Sequence, residues 1–358
     1  SSRTTLEPNP ISETIIKEGG SSRSSAKDVA RLAGVSTATV SRVLNTPYQV
    51  EEKTQKLVRD AVKKLHYVPH GAARALRSAR SQMIGAVIPS FDYALYARMT
   101  SAMQTALDAK GYSVVLAEHH YNLKSELRTT EQLIRHGVDA FIFVGLTHDA
   151  ELFSMLQNYG RPYILTWGID STGHHPSIGF DSRSATFDLT RHLIDLGHKR
   201  FGLLSAMVNG NDRATDRGTG IRTALAQAGL KLSDDCVQYG SIDLASAKAM
   251  MHKILMLAPS HRPTAVMCTN DVFAVGAMTA CREAGIKIPD DMSITGCDDT
   301  DLGATQTPPL TSIHTPITEV GLAAAEQIIA RLEGQPYKQS QSFPYKVVLR
   351  ASVCKPAY

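Results

Sequence analysis

Between residues 36 and 45 the run Ser36-Thr-Ala-Thr-Val-Ser-Arg-Val-Leu-Asn45 sets hydroxyls, methyls, an amide and one guanidinium at helical spacing. Such a set can make hydrogen bonds and methyl contacts; it breaks no bonds. Arg42 can bond a guanine through two parallel N–H groups, and the methyls of Thr37 and Ala38 can meet a thymine methyl. Ser25, Ser36, Thr39 and Asn45 are short donors suited to phosphate oxygens. Catalytic chemistry lacks its residues. There is no Gly-x-x-x-x-Gly-Lys phosphate loop, no Gly-x-Gly-x-x-Gly after the first apolar strand, and no Gly-x-Ser-x-Gly elbow. Asp290-Asp291 and Asp298-Asp299 are paired acids, but adjacent carboxylates usually cap turns. The five cysteines (Cys236, Cys268, Cys281, Cys297 and Cys354) form no Cys-x-x-Cys pair, and no His cluster has metal-ligand spacing. They read as reduced, mostly buried thiols. No cofactor, no metal and no enzymatic activity are expected.

A compact helical unit must hold the 36–45 run if it is to read base edges. Ser25-Ala-Lys-Asp28 has the form of a capping box, with Val29, Leu32 and Ala33 as a buried stripe behind it. Gly34 breaks that helix. Ser36 can cap a second one over 37–45, with Val40, Val43 and Leu44 inward and Thr37, Ala38 and Arg42 outward near its N-terminal end. Thr46-Pro47 ends it. A third helix is expected over 51–65, with Leu57, Val58, Ala61, Val62 and Leu65 on its apolar face, closed by Tyr67-Val-Pro69. Two short helices across a Gly-containing turn make a helix-turn-helix, whose second helix enters the major groove. A plain capped helical hairpin is the alternative, and charge argues against it. Residues 21–80 hold 12 Lys/Arg against 4 Asp/Glu, a net of +8. Residues 81–358 hold 24 against 27, a net of −3, and residues 1–20 hold 2 against 3. A basic head on a weakly acidic body points to a polyanion as partner for the head alone.

The rest of the chain divides in the same way. Residues 1–24, rich in Ser, Thr, Gly and Glu, read as a disordered tail. Residues 71–80 are small and basic, with Leu76 their one large apolar side chain. They can form a helix only against something else, since isolated helices shorter than about 12 residues are marginal. A chain of 358 residues suggests two or three domains. No apolar run approaches the ~20 residues of a membrane span, and no secretory signal opens the chain, so a cytoplasmic location is expected. The chain does not begin with Met, so its own N-terminus can lie upstream. From Met83 onward, strands are expected at 84–88, 113–117, 140–144, 163–166, 177–180, 201–205, 265–269, 293–297, 312–314 and 346–350. Helices fall between most of them, among them 95–110, 124–136, 182–196, 217–228 and 272–284. Near-continuous apolar strands alternating with helices mean parallel sheets covered on both faces, and ten strands suit two sheets. Gly111, Gly137, Gly197, Gly229 and Gly285 each follow a helix. Parallel α/β sheets bind ligands beyond the carboxyl ends of their strands. That rule selects 91–96, Thr166-Trp167, 211–217, Thr269-Asn270-Asp271 and Asp298-Asp299.

Residues 25–354 resemble the lac repressor/gal repressor (LacI/GalR) family. The resemblance is carried by Lys27-Asp-Val-Ala-x-x-Ala-Gly-Val-Ser36, Thr39-Val-Ser-Arg-Val-Leu-Asn45, Tyr67-x-Pro69 and Ala73-Arg-Ala-Leu76. Farther on it includes Leu196-Gly-His-Lys-Arg200, Arg262-Pro-Thr-Ala265, Asn270-Asp271, Pro289-Asp-Asp-Met-Ser293, Gly296-x-Asp298-Asp299 and Pro309-Leu-Thr-Ser-Ile313. Two positions depart from the family pattern: Glu51 stands where Ser or Thr usually caps the third helix, and His70 where Asn often follows the hinge Pro.

The resemblance implies an α/β protein with an all-α helix-turn-helix headpiece (25–70), a hinge helix (71–81) and a two-lobed effector domain like the periplasmic binding proteins. The lobes would be 82–180 with 313–341, and 181–312 with 342–358. It further implies a repressor that binds double-stranded, near-palindromic operator DNA as a homodimer, with no membrane partner. Tyr67 would belong to the DNA-facing hinge region. Leu76 would wedge into a minor-groove base step between Arg74 and Arg77. The extra protein–DNA interactions of a bent duplex must then outweigh an unstacking cost of about a few kcal/mol.

Arg217, Asn270 and Asp298 match the family's ligand-contacting positions. A sugar, a sugar acid such as gluconate, or a nucleobase would each suit this scaffold; Arg and Asp can each bond two adjacent hydroxyls, which favours the first two as effector. Trp167 could stack on its ring, and Tyr96 could supply a wall. Other roles stay open. Arg217, at the start of its helix, could pair with Asp216 or Asp212; Asp298 could cap a turn; Trp167 could be ordinary core. Asn211, in a turn-rich loop, is left out of the site. No heptad repeat follows Val353, so a dimer is expected. A secreted solute receptor would suit the body but not the headpiece.

Overall fold

The computed structural model describes residues 24–68 and 80–357. They belong to two compact units that meet in sequence at residues 79 and 80.

In the first unit, α1 (Ala26–Ala33), α2 (Thr37–Asn45) and α3 (Glu52–Lys64) enclose a small core of Val29, Val40, Val43, Val58 and Ala61. The capping box is complete: Ser25 Oγ accepts from the Asp28 N–H, and the Asp28 carboxylate accepts from the Ser25 N–H at 2.9 Å. Gly34, with φ 67°, ends α1 in the left-handed region. Ser36 caps α2 by accepting from the Thr39 N–H at 3.1 Å. Two expected core residues do not join: Leu32 and Leu57 are 45% and 49% exposed. The buried arc of α1 centres on Ala30 and Ala33, and that of α3 on Val58 and Ala61. Both leucines lie at the rims of those arcs. Glu51 stands before α3 with no side-chain cap bond, an omission that costs about 1 kcal/mol.

The second unit builds two sheets. β1 (Met83–Ile88), β2 (Ser113–Glu118), β3 (Ala140–Val144), β4 (Tyr163–Trp167), β5 (Ser177–Gly179) and the late strand β11 (Ser340–Ser342) form a parallel sheet in the order β11-β5-β4-β3-β1-β2. β6 (Phe201–Ala206), β7 (Val237–Gly240), β8 (Ala265–Cys268) and β9 (Ser293–Thr295) form a second parallel sheet in the order β7-β6-β8-β9. Helices cover both faces, so alternate side chains of one strand enter different cores. Ile142 packs on one side of β3, and Phe141 and Phe143 on the other. The five helix-ending glycines all have left-handed φ, from 70° to 104°.

β10 (Ser312–His314) pairs antiparallel with β12 (Lys346–Val348). Bridges from Thr295 to Thr311 and from Asp298 to His314 tie it to the second sheet. The chain therefore changes lobes near residue 180, after His314 and after Ser342. Two strands lie outside the expected set. β7 is half-exposed, and β11 reads Ser-Gln-Ser, with no apolar residue to announce it. Cys236, Cys268, Cys281 and Cys297 are free and buried, and Cys354 is free and half-buried. Among the described residues no helix is long and apolar enough to cross a membrane.

Candidate functional site

The first unit presents α2 outward. Thr37, Ala38 and Arg42 are exposed, and the Arg42 guanidinium has no partner among the described residues. The short donors are already partly committed. Ser25 Oγ gives its one proton to the Asp28 carboxylate at 2.6 Å. Ser36 Oγ and Thr39 Oγ1 share a bond of 2.9 Å, so one of these two hydroxyls still has a proton to offer. Asn45 Nδ2 donates to the Ser41 carbonyl at 2.7 Å and to the Ser41 hydroxyl at 3.3 Å. These side chains fix the ends of α1 and α2. Tyr67 is half-buried against the core, and its N–H donates to the Val62 carbonyl at 3.0 Å. Arg74, Leu76 and Arg77 lie outside the described residues.

The second unit gathers side chains from the carboxyl ends of both sheets. Tyr93 precedes and Tyr96 opens α4 (Ala94–Asp108), after β1; Tyr121 follows β2; Trp167 ends β4. From the other lobe come Asn211 and Arg217 after β6, Asn270 after β8 and Asp298 after β9. Tyr96, Trp167, Asn211, Arg217 and Asn270 line one cavity of about 20 Å³, the room of about one water molecule. Asp298 stands behind Arg217. Arg217 Nη2 donates to Asp298 Oδ1 at 2.8 Å, and Nη1 donates to the Thr269 carbonyl at 2.5 Å and reaches Asp298 Oδ2 at 3.5 Å. The Tyr93 hydroxyl donates to Asp298 Oδ2. Tyr93 belongs to the first lobe and Asp298 to the second, so this bond spans the cleft. The lobes are closed on one another, and a ligand must part these side chains to enter.

The geometry decides several of the open roles. Asp216 pairs with Arg183 at 2.8 Å and Asp212 with Arg213 at 2.9 Å, so neither holds Arg217. Asp299 turns away to Arg350 and His314, and only Asp298 faces the cleft. Trp167 is both core and wall. It is 2% exposed, its Nε1 points at Met99 Sδ at 3.0 Å, and its ring lies 5.0 Å from that of Tyr96. Asn270 and Asn211 accept from the N–H groups of Phe273 and Ala214, capping α10 (Asp271–Glu283) and α8 (Asp212–Gln227).

That last cap corrects an expectation. The sequence pattern puts the start of this helix at Arg217. It opens at Asp212, because Asn211 supplies the N-cap and Asp212 an acidic first turn. Arg213 therefore sits in the first turn, one turn before Arg217, and joins the cavity with Tyr93, Tyr121 and Ile242. The sequence holds signals for two of these. Tyr93 lies within 91–96, and the carboxyl-end rule applied to β2 leads to Tyr121.

Burial shapes the electrostatics. It pushes the Asp298 carboxyl up, a push that the Arg217 guanidinium opposes, and it pushes the Tyr121 phenol up. Asp271 is also pushed up by burial. It accepts from Thr300 N at 2.6 Å and Ser312 Oγ at 2.6 Å, and so holds the loop that carries Asp298. Beside the cleft lies a second buried group. His148 places Nδ1 2.9 Å from Glu126 and Nε2 2.9 Å from the Gly145 carbonyl. A carbonyl only accepts, so His148 donates from Nε2. His119, 3.6 Å from Glu126, is pushed down to about 4 by burial. This network fixes Gly145, whose φ of 94° leaves the space that the Arg213 guanidinium occupies.

A helix-turn-helix unit followed by a two-lobed receptor defines a ligand-responsive DNA-binding regulator. Comparison with known proteins agrees. Residues 25–70 match the model for bacterial regulatory proteins of the lacI family, and residues 190–353 match the periplasmic binding protein-like domain. The HTH-type transcriptional repressor PurR of Pasteurella multocida is 33% identical over 331 residues, 91% of this chain and 98% of that protein. A LacI-family regulator from Silicibacter pomeroyi superposes with a TM-score of 0.83 at 25% identity, over 92% of this chain and 98% of its own. The lac repressor dimer bound to operator and the anti-inducer ONPF superposes with a TM-score of 0.81 at 27% identity, over 93% and 100%. The chain belongs to the lacI family of bacterial regulatory proteins. It is a DNA-binding transcriptional repressor with an effector-binding domain, and not an enzyme.

Proposed function

We propose that this repressor acts in the cytoplasm as a homodimer on a near-palindromic operator, and that a sugar or sugar acid bound between its lobes controls it. Thr37, Ala38 and Arg42 read base edges, with Ser36, Thr39 and Asn45 at the backbone. Arg74, Leu76 and Arg77 form the hinge that enters the minor groove. The observation that carries the effector reading is the Arg217–Asp298–Tyr93 cluster beside an aromatic wall. It offers paired polar groups for adjacent hydroxyls and flat faces for C–H bonds. Ligand entry breaks the bond across the cleft, re-angles the lobes and shifts the hinges of the dimer. Such coupling is reciprocal, so operator DNA changes effector affinity by the same factor.

A dimer would cover apolar side chains at the sheet edges. Leu116 on β2 is 42% exposed and Tyr239 on β7 is 45% exposed. The lac repressor neighbour is itself a dimer on operator.

The test is a thermal-shift screen against sugars, sugar acids and purines. A ligand at about 100 times its Kd stabilises the fold by roughly 2.7 kcal/mol. A sugar or sugar-acid hit that vanishes in Arg217→Ala supports the reading. A hit confined to purines, or no hit at all, defeats it.

A further inference from the structure

Arg213 is the one charged group of the cleft lining that the reading above leaves unused. It stands four residues before Arg217 on α8, so both guanidiniums leave one helix face and line one cavity. Its side chain is 7% exposed. Nη1 donates to Asp212 at 2.9 Å, and the guanidinium carbon lies 5.9 Å from the centre of the Tyr121 ring. On its other side is Gly145. An arginine of the second lobe therefore rests on the first.

Three features set the charge that this cavity prefers. Among the described residues its ionised lining groups are Arg213 and Arg217, with the carboxylates of Asp212 and Asp298 set outside the lining. α8 and α10 both start at its wall, through Asn211 and Asn270, so two positive helix ends meet it. Arg217 Nε is buried with no acceptor, although both Nη atoms of Arg217 are engaged. Arg213 and Arg217 each have one carboxylate partner, Asp212 and Asp298, so what stays unanswered is that donor and the two positive helix ends, and an uncharged polyol can satisfy the donor alone. An anion answers both.

We infer that the effector is an anionic polyol whose carboxylate or phosphate sits between Arg213 and Arg217, and that Arg213 sets the preference for charged over neutral sugars. The inference rests on the cleft being the effector site.

The test is calorimetric titration of the full chain with hexonates, hexuronates and hexose phosphates, each paired with its uncharged counterpart, such as gluconate with glucitol and glucose 6-phosphate with glucose. One charged hydrogen bond is worth about tenfold or more in affinity, so at least one acid or phosphate binds at least about tenfold tighter than its neutral partner. The hexonate and phosphate arms decide which anion it is. Arg213→Gln brings the pair within about threefold. Arg213→Lys, which keeps the charge without the planar fork, restores part of the gap. A neutral sugar that binds as tightly as its acid, with binding lost in Asp298→Ala, overturns the anionic inference and leaves the cleft reading intact. A preference that survives in a folded Arg213→Gln protein overturns the role of Arg213. No binding by any pair overturns both.

Discussion

Replacing Asp298 strands three donors at once: two N–H groups of Arg217 and the hydroxyl of Tyr93. The side chains of Arg217 and Asp298 are 6% and 0% exposed, so solvent cannot take over. Breaking a buried pair from one side costs about 3–5 kcal/mol, because the surviving charge keeps its desolvation penalty. Replacing both partners with apolar residues of similar volume is often neutral. The cycle of Asp298→Leu, Arg217→Met and the double variant tests this. Each single substitution should lose about 3–5 kcal/mol, and the double should lose less than their sum. Recovery will be incomplete, because Arg217→Met also orphans the Thr269 carbonyl, at about 1–3 kcal/mol. A coupling of about 2–3 kcal/mol is expected. Urea unfolding of the effector-free chain reads it directly, since the chain has one Trp and Trp167 sits at the cleft. Additive losses would show that the pair is not formed in solution. Asp298→Ala should in addition keep operator binding while losing the effector response.

Three further outcomes follow from other parts of the molecule. Arg42→Ala should lose about 1–3 kcal/mol of preference for operator over random DNA while keeping most of its salt-dependent binding, measured by competition at fixed salt; equal loss on both DNAs would contradict a base-reading role. Gly145→Ala pushes a methyl into the Arg213 guanidinium at a left-handed φ of 94°, so the melting temperature should fall by the equivalent of about 1–2 kcal/mol and effector affinity should fall with it; unchanged affinity would mean that Arg213 does not rest there. His119 is held at about 4 against an ordinary 6.5, so the unfolded chain takes up that proton first. Stability is then lost as pH falls from 6.5 towards 4, by about 3 kcal/mol in all. His119→Gln should flatten that part of the stability–pH curve, and an unaltered curve would place the acid sensitivity elsewhere.

The headpiece is legible because its rules are local. A Ser three residues before Asp28, a Gly after the first helix and a second Ser at position 36 state where the helices begin and end, and the structure uses all three. Strands buried on both faces are legible for a similar reason, since continuous apolar runs leave few alternatives. β11 escapes because its pairing with β5 is a backbone matter that Ser-Gln-Ser does not encode. Leu32 and Leu57 are misplaced because periodicity gives a helix its apolar side but not the width of the core it meets.

The cleft divides along the same line. Arg217, Asn270 and Asp298 can be named from the carboxyl-end rule and the family motif. Arg213 falls within the 211–217 stretch that the rule selects, but nothing local singles it out, because its role depends on contacts far apart in sequence. Asn211 must cap α8 early enough to bring Arg213 into the first turn. Gly145, some seventy residues away and in the other lobe, must leave room for the guanidinium. Gly145 is itself held by His148, and His148 by Glu126. Each residue in that chain has an ordinary local reading of its own: a turn glycine, a loop histidine, a helix glutamate. Only their convergence distinguishes a binding determinant from a satisfied surface arginine. The part of this repressor that we infer tells one effector from another is thus the part least visible in its sequence.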